Sequence, residues 1–303
     1  MVHSRFRHFA AIDWSGARGE RHRGIAVAIC THGFAAPALV RPGHRWSRGE
    51  VLHWMLHDMP ADTLVGMDLG QSLPFADRGA FFPGWDESPA DARALWALVE
   101  RICQDDPHFS VSSFVDHADL APHYRRHGGR EGSAFGLPGT SGGRGRFRVT
   151  EHAQQALGCR PYSNFNLVGA AQVGKSSLSG MRLLHRLAGR LPVWPIDPLP
   201  ATGSTVVEIY TTIAAIAAGR TPGRSKMYDF AQLNQALAHL ESLRLRRHQP
   251  APVPGHGPID DHMSDALLTA AWLRAVADRD DLWHPVALTP KIAATEGWTW
   301  GAP

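Results

Sequence analysis

Five acidic residues have the type and spacing needed to bind hard metal ions. Asp13 and Asp68 each follow a short apolar run, Phe-Ala-Ala-Ile and Leu-Val-Gly-Met, which places both at the ends of predicted buried strands. Glu208 lies within the strand-like run Val-Val-Glu-Ile-Tyr, where a buried carboxylate needs a cation or hydrogen-bond donors. Asp261 and Asp265 are four residues apart and share one face of a predicted helix, where a bound cation would offset their repulsion.

These carboxylates predict a divalent-metal site, because their oxygens are the ligands that Mg²⁺ and Mn²⁺ prefer. Two such ions about 4 Å apart activate a water and stabilise the leaving oxygen in phosphodiester hydrolysis. The sequence therefore favours Asp13, Asp68, Glu208 and Asp265 as catalytic metal ligands, with Asp261 as a further ligand. The alternatives are structural: strand-end aspartates also cap loops, an edge-strand glutamate faces water, and Asp261 can cap its helix.

Basic residues supply a candidate surface for phosphate groups. The stretch 128–148 combines many glycines with Arg144, Arg146 and Arg148, and its low apolar content predicts a mobile basic loop. Because arginine forms charge-assisted hydrogen bonds to phosphate, we expect these three side chains to contact a nucleic-acid backbone. The alternative is a solvated loop that binds nothing.

A second pattern favours a different activity. Residues 169–176, Gly-Ala-Ala-Gln-Val-Gly-Lys-Ser, match the P-loop pattern, in which backbone N–H groups and the lysine bind phosphates. A P-loop follows a buried strand and opens a helix. A helix is predicted from Leu178 to Leu187, but the preceding Asn-Phe-Asn-Leu-Val is a poor strand. Nucleotide hydrolysis therefore stays the alternative, and Lys175 is expected to contact a phosphate.

An α/β arrangement must position these residues, since apolar runs rich in β-branched residues alternate with helical stretches. The predicted strands are Phe9 to Asp13, Gly24 to Cys30, Phe34 to Val40, Thr63 to Leu69, Thr205 to Thr211 and Val286 to Leu288. The other predicted helices are Gly49 to Asp58, Pro89 to Gln104, Met227 to Arg247 and Ile259 to Ala277. A crossover helix before the fourth strand predicts parallel pairing with the first. Residues 75–200 are predicted to be an insertion in a single domain, 1–303.

Composition and charge restrict the partners and the cellular location. The chain has 31 basic and 28 acidic residues, an excess too small to establish a nucleic-acid partner by itself. Cys30, Cys103 and Cys159 are far apart, which argues against a disulfide framework or a cysteine-ligated zinc site. The chain has neither a signal-peptide pattern nor an apolar segment of about 18 residues, so we expect a soluble cytoplasmic protein without membrane partners.

Four short motifs, each present once, follow one another along nearly the whole chain. They are Ala-Ile-Asp13-Trp-Ser-Gly, Gly-Met-Asp68-Leu-Gly-Gln-Ser-Leu-Pro, Val-Val-Glu208-Ile-Tyr and Asp261-His-Met-Ser-Asp265-Ala-Leu. Their order resembles domain-of-unknown-function family 429, regarded as predicted RNase H-like nucleases. The resemblance implies an RNase H-like mixed five-stranded sheet flanked by helices, with the insertion between the fourth and fifth strands. It implies catalytic acids at Asp13 on the first strand and Asp265 on the last helix. Asp68 is similar to the fourth-strand acid of RuvC-like members, and Glu208 matches the family pattern.

The residues and the resemblance together predict a two-metal nuclease that uses Mg²⁺ or Mn²⁺ to hydrolyse phosphodiester bonds of nucleic acid. A catalytically silent nucleic-acid-binding module of the same fold is the other alternative. Metal-dependent cleavage distinguishes these two hypotheses.

Overall fold

A mixed, open, six-stranded sheet forms the centre of the fold. The computed structural model describes residues 5–126, 128, 130–136, 143–168, 172–187, 189–245 and 251–303. In these ranges the strands are β1 (His8–Asp13), β2 (Ala26–Thr31), β3 (Ala38–Leu39), β4 (Thr63–Asp68), β5 (Val193–Trp194) and β6 (Thr205–Glu208). The sheet order is β3-β2-β1-β4-β6-β5, with β2 antiparallel to its two neighbours and every other pairing parallel.

Helices flank the sheet on both faces. They are α1 (Arg48–His53), α2 (Ala92–Ile102), α3 (Ser112–Asp116), α4 (Val149–Ala156), α5 (Val173–Leu187), α6 (Thr211–Ala217), α7 (Phe230–Leu245), α8 (Asp261–Val276), α9 (Asp280–Trp283) and α10 (Pro290–Thr295). A π-helical turn, Trp54–Asp58, continues α1 towards β4. Across the described ranges, no helix has the length and apolar character needed to cross a membrane. The three cysteines are buried, and none of them forms a disulfide.

Strand residues alternate between two hydrophobic clusters, one on each face of the sheet. Ile12 of β1 and Met67 of β4 belong to the cluster that contains α2 and α5. Successive residues of a strand point to opposite faces, so Asp13 and Asp68 point towards the cluster that contains α6, α7 and α8. The two carboxylates therefore leave the sheet on the same side.

The sheet differs from the prediction in three places. It has six strands rather than five, because Val193–Trp194 pairs with β6 at the sheet edge, where the flanking prolines are tolerated. The predicted third strand is only two residues long. Residues 286–288 form a turn rather than a strand, and Val286 is fully exposed there.

The segment 75–200, predicted as an insertion, packs against the sheet through α2 and α5. Arg146 holds part of it together: its Nε and Nη2 atoms donate to the carboxylate of Asp77 at 2.7 and 2.6 Å. Its guanidinium also donates to three backbone carbonyls, and its side chain is fully buried. The prediction of a mobile basic loop is therefore wrong for this residue, while residues 127, 129 and 137–142 of that region lie outside the described residues.

Candidate active site

A cleft of about 560 Å³ opens at the carboxyl ends of β1, β4 and β6. Asp13 and Asp68 are direct partners in the register of β1 and β4, and neighbouring strands lie about 4.8 Å apart. Both residues line the cleft. Open α/β sheets commonly bind ligands at this edge, so the position of the cleft is consistent with a functional site.

The third carboxylate comes from α8. Asp260 caps this helix by accepting a hydrogen bond from the backbone N–H of His262 at 3.0 Å. One turn along, Asp265 is 4 % exposed, and its Oδ2 atom lies 2.5 Å from Nζ of Lys226. The same ammonium lies 3.4 Å from Oδ2 of Asp261. Because α8 packs across β1 and β2, Asp265 is fixed beside the strand ends.

Asp68 is the carboxylate without a partner. No hydrogen bond or close ion pair joins it to another residue in the part of the chain that the structure describes. Burial and the charges of Asp13 and Asp265 raise the pKa of Asp68 well above its usual value. Burial likewise raises the pKa of Asp13, and it raises that of Asp265 to about 6 although Lys226 opposes the shift. Burial is the largest cause of all three raised pKa values, and the nearby cations only partly offset it.

Two cationic side chains reach these acids, and sequence reasoning missed both. His262 donates from Nδ1 to Oδ2 of Asp13 at 3.2 Å, and this hydrogen bond raises the pKa of His262 to about 9 although burial opposes it. Burial lowers the pKa of Lys226, but Asp265 more than offsets that effect. A signal for His262 was present, since it lies between Asp261 and Asp265 at the start of α8. Lys226, in the loop before α7, has no comparable sequence signal.

Within the described residues, one group of three potential metal ligands comes together closely. The ligand atoms of Asp260, Asp261 and His262 all lie within 4.8 Å of one another, and all three residues are partly exposed. Asp13, Asp68 and Asp265 do not form so tight a group. Like charges repel, and two of the three carboxylates are engaged by Lys226 and His262 instead.

Glu208 has a different environment from the predicted one. Val207 belongs to the α8 side of the sheet, so alternation turns Glu208 to the opposite face. There Arg148 donates to both of its oxygens, at 2.8 and 2.6 Å, and both side chains are buried. The backbone N–H of Gln71 donates a further hydrogen bond at 2.7 Å. Since its oxygens are already used, this arrangement does not support Glu208 as a metal ligand, although it borders the cleft.

The three arginines predicted to bind phosphate are not equivalent. Arg146 and Arg148 are buried and ion-paired, so neither presents its guanidinium to a phosphate. Asp77 and Glu208 lie far from these arginines in sequence, and this explains why the composition of the stretch gave no indication of burial. Arg144 is exposed, and its guanidinium lies 5.8 Å from the ring centre of Tyr162, which lines the cleft. Arg144 alone of the three is available to a substrate.

The surroundings of the P-loop pattern do not favour nucleotide hydrolysis. Lys175 and Ser176 lie in the first turn of α5, as the pattern requires. Residues 161–168, however, form no strand of the sheet, and residues 169–171 lie outside the described residues. Lys175 also borders a second, smaller cavity instead of the main cleft.

Comparisons of the chain with protein-family models, with curated proteins and with solved structures find no match.

Proposed function

We propose that this protein is a divalent-metal-dependent nuclease of the RNase H-like type, which hydrolyses phosphodiester bonds of nucleic acid. The observation that carries the proposal is the carboxylate of Asp68, which lies in the cleft beside Asp13, without a partner and with a raised pKa. A carboxylate in such surroundings is unfavourable unless a cation or a proton neutralises it.

The strand order supports the RNase H-like part of the proposal. Without the edge strand β5, the sheet is a mixed five-stranded one in which Asp13 ends the first strand. Asp265 lies near the start of α8, which among the described residues is followed by only the two short helices α9 and α10. Both positions agree with what the resemblance implies. Because one fold hosts many activities, the proposal depends on the site more than on the sheet.

Asp13, Asp68 and Asp265, with Asp261 beside them, are the residues that would hold Mg²⁺ or Mn²⁺, whose preferred ligands are carboxylate oxygens. Two such ions, when bound, supply an activated water and charge stabilisation at the leaving oxygen. In the metal-free protein His262 and Lys226 hold two of these carboxylates in place and limit their mutual repulsion.

Tyr162 and Arg144 make the cleft suitable for a nucleic-acid strand. Tyr162 is 50 % exposed and presents its ring to the cleft, and aromatic rings stack on bases without regard to sequence. Arg144, next to this ring, supplies a positive charge that attracts phosphate. Asp13, Asp68 and Tyr162 line the same cleft, so one bound strand can contact the carboxylates and the ring.

The test is cleavage of labelled DNA, RNA, hybrid and branched substrates in the presence of Mg²⁺ or Mn²⁺. We expect cleavage that EDTA stops and that falls at least about 100-fold in Asp13→Asn and Asp68→Asn, because each loses a ligand oxygen charge. Asp58→Asn, at an exposed residue paired with Arg41, is the matched control and should keep full activity. Absence of cleavage on every substrate, or full activity of Asp13→Asn, would refute the proposal.

Two results would favour the alternatives instead. Tight binding of nucleic acid without any cleavage would indicate a silent binding module. Hydrolysis of ATP or GTP that disappears in Lys175→Ala would indicate a P-loop enzyme.

A further inference from the structure

A second cavity, of about 200 Å³, lies next to the main cleft. Gly16 and Ala17, in the loop after β1, line both cavities. Gly16 is three residues after Asp13, so the second cavity begins within about 10 Å of that carboxylate along the chain. The two cavities are therefore close enough for one ligand strand to enter both.

The second cavity is strongly basic. The cationic side chains that border it are Arg18, Arg48, Arg126, Arg130 and Lys175. Asp116 is the single carboxylate among the described residues that line it. Clustered positive charge of this kind is unfavourable in isolation and favours binding of an anion.

Several of these cations have hydrogen-bonding capacity that the protein leaves unused. The side chains of Lys175 and Arg18 make neither a hydrogen bond nor a close ion pair with the described part of the chain. Arg126 contacts Asp116 through Nη1 at 3.1 Å, but its buried Nε and Nη2 atoms have no partner among the residues that the structure describes. A buried donor without an acceptor is unfavourable, and a bound anion would satisfy it.

Arg48 differs from the other cations, because it shapes the cavity wall. Its guanidinium donates to the backbone carbonyls of Ser15, Ala17 and His108. No carboxylate neutralises it in these contacts, so its charge adds to the potential of the cavity. Burial and the charge of Arg18 lower the pKa of Lys175, as expected for an ammonium placed among cations.

We propose that this cavity is a phosphate subsite for the nucleic-acid strand that the main cleft cleaves, with Lys175, Arg18 and Arg126 as the residues that bind the phosphate. Phosphate oxygens are anionic acceptors, which suit these cationic donors in charge. This inference rests on the proposed nuclease function for the identity of the ligand. It does not rest on the P-loop interpretation of Lys175, since the three proposed phosphate-binding residues come from three separate parts of the chain.

The test measures binding of a short single-stranded oligonucleotide to the full chain in EDTA, by fluorescence anisotropy over a series of salt concentrations. We expect Lys175→Ala and Arg18→Ala each to weaken binding about 10-fold and to reduce the slope of log K against log salt by about 0.7. Lys175→Arg should keep the slope. Arg190→Ala, at an exposed residue beyond the far end of α5, is the matched control and should bind like the wild type.

Oligonucleotides with a 5′-phosphate, a 3′-phosphate or no terminal phosphate distinguish the source of the bound group. A preference for one phosphorylated end that Lys175→Ala abolishes would support the proposal and assign a terminal phosphate. An equal loss for all three ligands would support it and assign a backbone phosphate. Arg18 is exposed, so Arg18→Ala keeps the test valid if Lys175→Ala unfolds the protein.

Unchanged affinity and unchanged salt slope in both alanine variants would overturn the subsite. Failure of the nuclease proposal gives a different pattern, because binding is measured without metal. A protein that binds through Lys175 but cleaves nothing keeps the subsite and loses the nuclease. A protein that cleaves with metal while both variants bind normally keeps the nuclease and loses the subsite.

Discussion

Two carboxylates at the end of the sheet, buried Glu208 and partly buried Asp68, are stabilised in different ways. Glu208 accepts hydrogen bonds from both terminal nitrogens of Arg148 and from the backbone. Asp68 has no such donor and lies beside other carboxylates. Glu208 therefore contributes to the free energy of folding, whereas the charge of Asp68 opposes folding until a cation binds.

This difference predicts opposite effects of removing each charge. In EDTA, Asp68→Asn should raise the free energy of unfolding by about 1 kcal/mol, because it removes repulsion with Asp13 and Asp265. Glu208→Gln should lower it by about 3–5 kcal/mol, because Arg148 loses a buried counter-charge. Urea unfolding measures both values. Equal destabilisation by the two substitutions would contradict the assigned roles.

Local sequence identified the residues whose role depends on their own strand or helix. Asp13 and Asp68 end apolar runs, so their placement at the sheet edge follows from the runs themselves. Arg148 and Arg146 could not be interpreted in this way, because Glu208 and Asp77 lie 60 and 69 residues away from them, and only Glu151 pairs with Arg148 locally. Charge pairing over such separations depends on the folded chain and leaves no local pattern.

At the scale of elements, the loop after β1 lies against the start of α5. A Cβ atom on Gly16 would lie 2.4 Å from the backbone N of Ser176. Nothing larger than glycine fits there without moving the backbone of one partner. The contact joins the strand that carries Asp13 to the helix that carries Lys175.

Gly16→Ala should therefore lower the free energy of unfolding by about 1–3 kcal/mol, as overpacking of a close contact does. Gly49→Ala is the control: Gly49 is exposed in α1, and its added Cβ would meet only Oγ of Ser47 at 3.9 Å. That substitution should stabilise the protein by about 0.5–1 kcal/mol, because alanine is the better helix former. Thermal or urea unfolding of both variants measures the contrast, and equal effects would show that the loop adjusts freely.

The long elements followed from sequence, and the short ones did not. β1, β4, β6 and α8 begin or end within a few residues of their predicted bounds, since long apolar patterns outweigh local variation. β5 has only two residues and is flanked by prolines, so its pairing depends on β6 alone. The run 286–288 is apolar but too short to form a strand, and it lies in the turn that follows α9.

At the scale of the whole molecule, metal binding and proton binding compete at the acidic cluster. Burial raises the pKa of Asp265 to about 6, although Lys226 lowers it. The folded state thus holds this proton more tightly than the unfolded state does. Protonation of Asp265 therefore stabilises the folded protein fully below pH 3.8, the ordinary pKa of an aspartate. This stabilisation is lost as the pH rises through about 6.

A bound metal ion should reverse this loss of stability with rising pH. Above pH 7, Mn²⁺ at about 100 times its dissociation constant should raise the melting temperature by about 5 °C. This increase should shrink as the pH falls through about 6, because a protonated carboxyl cannot bind the ion. Differential scanning fluorimetry with and without Mn²⁺ measures the shift. Asp265→Asn should show a smaller shift with little pH dependence, and an undiminished shift at pH 5 would contradict the assignment.

The ion pair between Arg148 and Glu208 also bears on how the chain can be divided. Arg148 belongs to the segment 75–200, whereas Glu208 belongs to the sheet. A deletion that spared strands β1 to β4 and β6 would still remove the guanidinium that neutralises Glu208 and leave an unpaired charge at the base of the cleft. The segment 75–200 is thus not an accessory that can be removed to obtain a minimal domain, and shortened versions need a replacement at Glu208 as well.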